Sequence, residues 1–316
     1  MRFTKLRRDY SRKQLKVTYK MTLWISHSTL LRECLLTGYI VVKSPVRVGT
    51  GREAPLEASV DLAVVRIKLK DKSVPYIPGS SIKGVFRSTA IQLARAKGLK
   101  VCSGLGDETC MNHEHALLDQ IQTLLKDGAS SEALNLFNKN ACLLCKIFGA
   151  PSFTGHVDFS DAYPVDEHGN VLDVATGVRV GIAINRRTGA AYPGALYHVE
   201  YVEPGSRFKF RIYSTNLPNY AIGLLAKILR MIHQGWVRIG SFKTRGFGEI
   251  SLDSLRFAVR GITVKDLELS ALDEHDEIVD LRNLAEKSGD WLECRDNRAW
   301  ECLAKLEEVW ERAKLT

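Results

Sequence analysis

The chain has 316 residues, 45% hydrophobic and 26% charged, and carries a formal net charge of +9 at pH 7. This composition excludes a mostly disordered chain, and no apolar run approaches the ~18–20 residues that a membrane-spanning helix needs. The basic first residues lack the apolar stretch of a secretory signal. We therefore expect a cytoplasmic protein with no membrane partner.

The charge is unevenly distributed along the chain. Residues 264–316 contain 15 acidic and 8 basic side chains, a net charge of −7, whereas residues 1–263 contain 21 acidic and 37 basic ones, a net charge of +16. An extended basic body suits a polyanion, because each neutralised phosphate releases counterions. A solvated Lys/Arg surface without a partner would show the same charge, so both interpretations stay open.

The first half of the chain predicts a strand, a loop and a helix. Residues 1–33 are rich in Lys and Arg and are interpreted as a basic N-terminal arm. The segment LTGYIVVKSPVRVGTG alternates apolar and polar residues and predicts a strand that runs into a loop. After a second extended segment, Ser80 or Ser81 can cap a helix, and Gly98 is a plausible stop.

The second half predicts an insertion, three strands, a helix and a last strand. Residues 99–150 form a Cys/His-containing insertion with a helical stretch from about His115 to Phe137. Strand-like runs lie near 155–162, 178–185 and 195–214, a strong amphipathic helix follows, and a core strand spans roughly 248–259. Residues 264–316 form an acidic region predicted to be mainly helical. The order predicts an α+β fold with a ferredoxin-like (RRM-like) βαββαβ palm.

Two motifs combine glycine with positive charge. The loop GSFKTRGFG, from Gly240 to Gly248, offers close backbone approach and the cations of Lys243 and Arg245. The segment YIPGSSIKG brings Ser80, Ser81 and Lys83 to a helix N-terminus, where backbone N–H groups favour an anion. An ordinary turn and a well-capped helix, in which Gly84 permits close packing, are the alternative interpretations.

The cysteines have the spacing of a metal site. Cys142 and Cys145 form a C-x-x-C pair, and Cys102 and Cys110 would complete a tetrahedral zinc site, with His113 able to replace Cys102. Reduced cysteines scattered in a core are the rival interpretation. The remaining cysteines have no such spacing and are expected in the core; these are Cys34, Cys294 and Cys302.

An acidic residue and a basic hairpin complete the candidate sites. Asp61 follows a glycine-rich loop and precedes an apolar strand, so its carboxylate either binds a divalent metal or a reacting 2′-hydroxyl, or caps the strand. Residues 179–201 predict a long hairpin with Arg186 and Arg187 at its tip. The hairpin either wedges between nucleotides or extends a sheet or a dimer contact.

The order of these motifs is more specific than any one of them. VRVGTG, the Asp before an apolar strand, YIPGSSIKGVFRS, CLLCKIFG, NRRTGAA and TRGFGEI occur in sequence. Together they resemble the RAMP superfamily of CRISPR-associated proteins, and most closely the repeated backbone subunit of type III effector complexes. The resemblance covers roughly residues 34–260, so that residues 34–263 form the family domain with a thumb-like hairpin region at 163–203.

The resemblance implies an antiviral ribonucleoprotein. Copies of the subunit would stack into a filament with other type III subunits, bind CRISPR guide RNA and target RNA, and displace a base with the thumb. Asp61 matches the family residue that cuts target RNA with a divalent metal such as magnesium, although it stands here in VDLA rather than a glycine-rich surround followed by Pro. A Cys/His cluster that binds structural zinc is also implied. The residues carried over or expected against RNA are Arg47, Arg52, Ser80, Ser81, Lys83, Arg87, Arg186, Arg187, Lys243, Arg245, Gly246 and Gly248.

Three functions follow from these residues. The leading hypothesis is a guide-RNA-binding backbone subunit that cleaves bound target RNA through Asp61. The second is a structural RAMP subunit in which Asp61 is only a cap. The third is a stand-alone endoribonuclease that processes the CRISPR RNA precursor through a histidine, for which His27, His156, His198 and His233 are the candidates.

Overall fold

A computed structural model describes residues 23–49, 60–112 and 115–315 of the chain. Most of the basic N-terminal arm, Arg52 and His113 lie outside these residues. The strands are β1 (Glu33–Val42), β2 (Arg66–Leu69), β3 (Lys72–Pro75), β4 (Val157–Phe159), β5 (Thr176–Ile184), β6 (Ala191–Val202), β7 (Arg207–Thr215), β8 (Ile250–Arg260), β9 (Val264–Lys265), β10 (Glu268–Leu269), β11 (Val279–Asp280), β12 (Glu286–Ser288) and β13 (Trp291–Arg295). The helices are α1 (Gly79–Ala96), α2 (His115–Lys126), α3 (Ser130–Asn140), α4 (Leu143–Phe148), α5 (Asn219–His233) and α6 (Asp296–Arg312).

The largest sheet has six strands in the order β12-β13-β8-β1-β7-β4, and its neighbouring strands pair antiparallel. Strand β1 lies between β7 and β8, the strands before and after helix α5. Along the chain, the elements that meet at this sheet follow as β1, α1, β4, β7, α5 and β8. The predicted mixture of helices and strands is confirmed.

One face of this sheet forms the core. In β7 the side chains of Phe208, Phe210 and Ile212 are buried, whereas Arg207 and Arg211 in the alternate positions are exposed. This alternation is what a strand with one buried face requires. Helices α1 and α5 contact each other and bring their own apolar residues to the buried face.

Helix α1 begins differently from the prediction. Neither Ser80 nor Ser81 caps it, because Pro78 occupies the cap position and no side chain of the cap residue bonds to the helix. The Gly79 N–H instead donates to Asp161 Oδ1 at 2.7 Å. A Cβ at Gly79 would overlap the carbonyl oxygen of Phe159, so glycine lets the helix start directly against the end of β4. A carboxylate distant in sequence thus replaces the local cap.

The two ends of the described chain also depart from prediction. Trp24, Ile25 and Leu31 are buried in the core, although residues up to 33 were predicted to belong to an arm. Residues 264–295, predicted to be mainly helical, instead form short strands, of which β13 extends the main sheet on β8. Among the described residues from 264 to 315, only Asp296–Arg312 forms an α-helix. Pairing with an existing sheet edge overrode local helix propensity there.

The predicted helix from about His115 to Phe137 is two helices, α2 and α3. The break includes Gly128, whose φ of +75° belongs to the left-handed region that glycine adopts readily. Cys294 and Cys302 are buried, as expected, and are joined as a disulfide between β13 and α6, which their spacing did not indicate. Within the described residues, no helix is both long and apolar enough to cross a membrane.

Candidate nucleic-acid interface and metal centre

A hairpin of β5 and β6 projects its aliphatic residues into solvent. Val178, Val180 and Ile182 alternate along β5, and Ile182 is paired with Leu196 of β6. The exposed fractions of these four side chains lie between 51% and 60%. The tip carries exposed Arg186 and Arg187, and the Asn185 side chain accepts the Arg187 N–H at 2.9 Å. The predicted hairpin and its basic tip are therefore present.

The alternate positions of the hairpin are aromatic and basic. Arg179 lies over the Phe247 ring, with its Cζ 4.9 Å from the ring centroid, and Tyr201 meets the same ring edge-on at 5.8 Å. A Cβ at Gly177 would overlap the Tyr201 ring, and a Cβ at Gly181 would overlap the Tyr197 ring. The two glycines of β5 therefore leave room for tyrosine rings from β6 to lie across the strand.

The loop from Gly240 to Gly248 faces this aromatic side. Its Arg245 Nη1 donates to the Tyr197 hydroxyl at 2.7 Å, and its guanidinium lies 5.4 Å from the Phe242 ring centroid. Phe242 has a positive φ of 57°, a conformation that non-glycine residues rarely adopt. Between hairpin and loop lies a groove of about 500 Å³, lined by Arg179, Val180, Gly181, Ile182, Ile184, Arg186, Tyr197, Val199, Phe242, Arg245 and Phe247.

The glycines of this loop have separate roles. Gly248 has a φ of +89°, and a Cβ there would overlap the carbonyl oxygen of Ile239, so it closes the base of the loop. Gly246 has a φ of +85° and no atom within 4 Å of the position that a Cβ would occupy. Lys243 is exposed beside it. Of the two glycines predicted to lie beneath RNA, Gly246 is thus the open one.

Arg47 is structural, although it was predicted to contact RNA. Only 6% of its surface is exposed. Its guanidinium donates to the Leu62 and Ala63 carbonyl oxygens, both at 3.3 Å, and to Ser241 Oγ at 3.0 Å. Arg47 therefore holds the segment after Asp61 against the start of the glycine loop.

Asp61 lies at the foot of the hairpin and is 57% exposed. Its Oδ2 accepts the backbone N–H of His198 at 2.7 Å and lies 3.4 Å from His198 Nδ1. The hydrogen bond from this backbone N–H lowers the pKa of the Asp61 carboxyl, so Asp61 is ionised at neutral pH. His198 is paired with Val180, the middle residue of the aliphatic row.

The other histidine candidates serve the fold. His156 is buried and stacks on His27 with ring centroids 4.2 Å apart. Its ring nitrogens lie 3.1 Å and 3.0 Å from the carbonyl oxygens of Thr215 and Ile25. His233 Nδ1 accepts the Leu252 N–H at 3.0 Å. Of the four candidates, His198 is the one beside a carboxylate at the hairpin.

The start of helix α1 forms a second basic surface. Ser80 is exposed, and Ser81 and Lys83 are half-buried. Burial lowers the pKa of Lys83, and the positive charge of Arg87 lowers it further. No atom lies within 4 Å of a Cβ placed on Gly84, so this glycine leaves open space rather than permitting packing within the chain. Lys83 and Arg87 also line a groove of about 560 Å³ with Gly104, Gly149 and Gly155.

The four predicted cysteines come together. The ligand atoms of Cys102, Cys110, Cys142 and Cys145 lie within 4.8 Å of one another, and Cys102 Sγ is 3.2 Å from Cys145 Sγ and 3.8 Å from Cys142 Sγ. Four sulfurs at ~2.3 Å from a tetrahedral zinc would be about 3.8 Å apart. The hydrogen bond from the Cys110 thiol lowers the pKa of Cys102, whereas proximity of Cys102 raises the pKa of Cys145. This arrangement could hold a metal ion.

Three of the residues at the groove were not singled out from the sequence: Arg179, Tyr197 and Phe242. Tyr197 and Phe242 are far apart in the chain, and only the docking of the hairpin on the glycine loop brings them together. The alternation of β5 was the one available signal, since it places Arg179 on the side opposite Val178 and Val180.

A basic, aromatic groove lies beside a projecting hairpin on an antiparallel sheet, and the family to which the chain belongs is shown by its sequence. The family model for the RAMP superfamily matches residues 39–251, more than half of the chain, and this protein belongs to that superfamily. The match includes the hairpin, the glycine loop, Asp61 and all four clustered cysteines. The predicted superfamily is therefore confirmed.

A curated relative is a subunit of a CRISPR system. The CRISPR system Cmr subunit Cmr6 of Pyrococcus furiosus is 32% identical to this chain over 149 residues. The aligned part covers 42% of this chain and 41% of the relative, so less than half of the relative's length is matched.

Proposed function

We propose that this protein is a guide-RNA-binding subunit of a type III CRISPR ribonucleoprotein. Membership of the RAMP superfamily and the likeness to a Cmr subunit support the assignment to a CRISPR complex. The groove between the hairpin and the glycine loop supports RNA as the ligand. Within such a complex, the partners would be target RNA, other type III subunits and copies of this chain, in the cytoplasm.

The proposed architecture is a ferredoxin-like palm with a thumb. The chain order β1, α1, β4, β7, α5, β8 and the sheet order β8-β1-β7-β4 support this architecture, because a βαββαβ unit would have the same order of elements. Residues 34–263 would form this domain, with the insertion at 99–150 and the β5–β6 hairpin as the thumb. Residues 264–316 would be a C-terminal region that widens the sheet.

The groove has the chemistry of a single-stranded RNA site. Proteins bind single strands by combining cations that follow the backbone with aromatic rings on which bases stack. Here Arg179, Arg186 and Arg245 supply the cations, and Tyr197 and Phe242 supply the rings. The exposed aliphatic row of β5 would separate neighbouring bases. This grouping of guanidinium groups and rings is the observation on which the proposal depends.

The test is RNA binding by the purified chain with substitutions at the groove. We expect Tyr197→Ala to weaken binding of a fluorescent single-stranded RNA by about 5- to 150-fold, since one stacked base contributes ~1–3 kcal/mol. Arg245→Gln should also lower the dependence of binding on salt, because one phosphate contact is lost.

Arg298→Gln is the matched control, since Arg298 is exposed and paired with Glu286 in the C-terminal region. Binding that is equal in all four proteins would contradict RNA binding in this groove.

Cleavage of target RNA at Asp61 is a second candidate function. The exposed, ionised carboxylate at the foot of the hairpin favours it, because Asp61 would stand beside the nucleotide that the hairpin displaces. With a divalent metal such as magnesium, Asp61 would assist attack of a 2′-hydroxyl on the adjacent phosphate. The bond to the His198 N–H equally suits a subunit in which Asp61 only caps the loop.

Asp61→Asn in a reconstituted guided complex separates these roles. A catalytic Asp61 predicts that metal-dependent cutting is lost while guide binding is retained. A cap predicts a lower melting temperature and no change in cutting. Cutting that persists in EDTA, prefers precursor RNA and is lost in His198→Ala would support the processing enzyme instead.

The cysteine cluster is proposed to hold a structural zinc ion. The donor set of four thiolates from two segments is typical of closed structural sites, which leave no ligand position for substrate. Zinc would fix the Cys102–Cys110 segment against helix α4. Metal analysis of the purified protein should find one zinc per chain, and Cys142→Ser should lower both zinc content and melting temperature.

A further inference from the structure

Arg87 reaches the cysteine cluster from the middle of helix α1. Its Nη2 lies 3.7 Å from Cys145 Sγ, within hydrogen-bonding distance for sulfur, and its Nη1 donates to the Gly149 carbonyl oxygen at 3.1 Å. These contacts occupy two of the guanidinium nitrogens. The sequence alone placed this side chain against guide phosphates; in the structure it is half-buried and its guanidinium is held by these contacts within the chain.

The segment after Cys102 closes over the same guanidinium. Gly104 has a φ of +75°, and a Cβ there would overlap Cζ, Nε and Nη2 of Arg87. One side chain therefore touches the segment that carries Cys102, the sulfur of Cys145 and the loop after α4. These parts of the chain would have to keep fixed positions relative to one another for four sulfurs to surround one ion.

We propose that Arg87 is a positioning residue of the metal centre. Four thiolates around a divalent zinc ion leave a net charge of −2, which is costly to keep in a partly buried site. The Arg87 guanidinium offsets part of this charge, and its N–H donor orients Cys145, as partners of metal ligands generally do. This inference rests on the proposed zinc site.

Zinc competition measurements test it. We expect Arg87→Gln to weaken zinc binding by about 10- to 100-fold, the range typical for loss of a partner of a metal ligand. Zinc release to a chromogenic chelator should be faster. In the cobalt-substituted protein, the sulfur-to-metal charge-transfer bands should shift, since one sulfur loses its hydrogen bond. Arg87→Lys retains the positive charge but not the two-pronged arrangement of N–H donors. Its zinc affinity should therefore lie between those of wild type and Arg87→Gln.

Lys126→Gln is the matched control, since Lys126 is an exposed cation in the insertion at 99–150 that carries the four cysteines. It should leave zinc affinity and the cobalt spectrum unchanged. If wild type holds zinc and both Arg87 variants bind it as tightly as wild type, the inference is overturned while the zinc site stands. If wild type holds no zinc and Cys142→Ser does not change its stability, the zinc site itself fails, and this inference fails with it.

Discussion

Arg32 is the most deeply buried charge in the described part of the chain, and its removal should be costly. None of its surface is exposed. Its guanidinium donates to Asn219 Oδ1, to the Ser270 carbonyl oxygen and, at 3.2 Å, to Thr263 Oγ1. These contacts tie the start of β1 and the first turn of α5 to the C-terminal region.

Replacement of Arg32 by Met preserves much of the side-chain volume and removes every side-chain hydrogen-bond donor at this position. Asn219 Oδ1 then loses its buried partner, which costs about 1–3 kcal/mol. The positive charge of Arg32 also lowers the pKa of Asp276, which burial raises to about 6 overall. Without that charge, Asp276 would be harder to ionise at pH 7. Breaking a buried charged network typically costs about 3–5 kcal/mol, and the apolar Met side chain offsets part of this.

We therefore expect Arg32→Met to lose about 3 kcal/mol of unfolding free energy, measured by urea denaturation. At ~2–4 °C per kcal/mol for large domains, the melting temperature should fall by about 6 °C or more. The control is Arg298→Met, because Arg298 and Glu286 form an exposed pair that should contribute ~1 kcal/mol or less. Equal stabilities of the two variants would refute the network.

Two further predictions concern packing and pH. Gly223→Ala should cost about 1–3 kcal/mol, because a Cβ there would overlap the Leu306 carbonyl oxygen where α5 crosses α6. Gly84→Ala, in open space on α1, should instead raise the free energy of unfolding by ~0.5–1 kcal/mol in chemical denaturation. If both substitutions changed the unfolding free energy in the same direction, the packing described here would be contradicted. Burial lowers the pKa of His156 from 6.5 to about 4, and the nearby His27 contributes to the shift. Between pH 6.5 and 4, His156 is therefore protonated in the unfolded chain but neutral in the folded one, so the folded state loses stability as the pH falls. Wild type should therefore lose about 2 kcal/mol more than His156→Gln between pH 7 and 5, and parallel pH profiles would show that His156 is not the cause.

The elements that sequence reasoning located well are those with a strong local pattern. Strand β1, the hairpin and helix α5 each have their own period of apolar residues, and they lie near their predicted positions. The strands after Val264 could not be found in this way. Strand β13, WLECR, has no clear alternation, and it forms because β8 offers it an unpaired edge. Tertiary context, not propensity, decides such segments.

Among the candidate site residues, those in a sequence motif with defined spacing were located, whereas those brought together only by tertiary structure were not. The C-x-x-C spacing pointed to two of the clustered cysteines, and Cys102 and Cys110 are the nearest cysteines upstream of that pair. Positive charge, by contrast, does not reveal burial: Arg47 and Arg87 occur in basic motifs, yet each is held by contacts within the chain. Tyr197 lies in the predicted hairpin and Phe242 in the glycine loop, but nothing in either segment shows that the two rings meet, because that contact depends on tertiary docking.

Gly177 and Gly181 determine more than the local packing of β5. Because these positions have no side chain, the rings of Tyr201 and Tyr197 lie directly against the strand there. A methyl group at position 181 would push the Tyr197 ring away from β5, toward the loop that carries Arg245. The width of the groove between the hairpin and the glycine loop therefore depends on the absence of side chains at Gly177 and Gly181. A larger residue at either glycine would therefore narrow the groove without replacing any of the cations that line it.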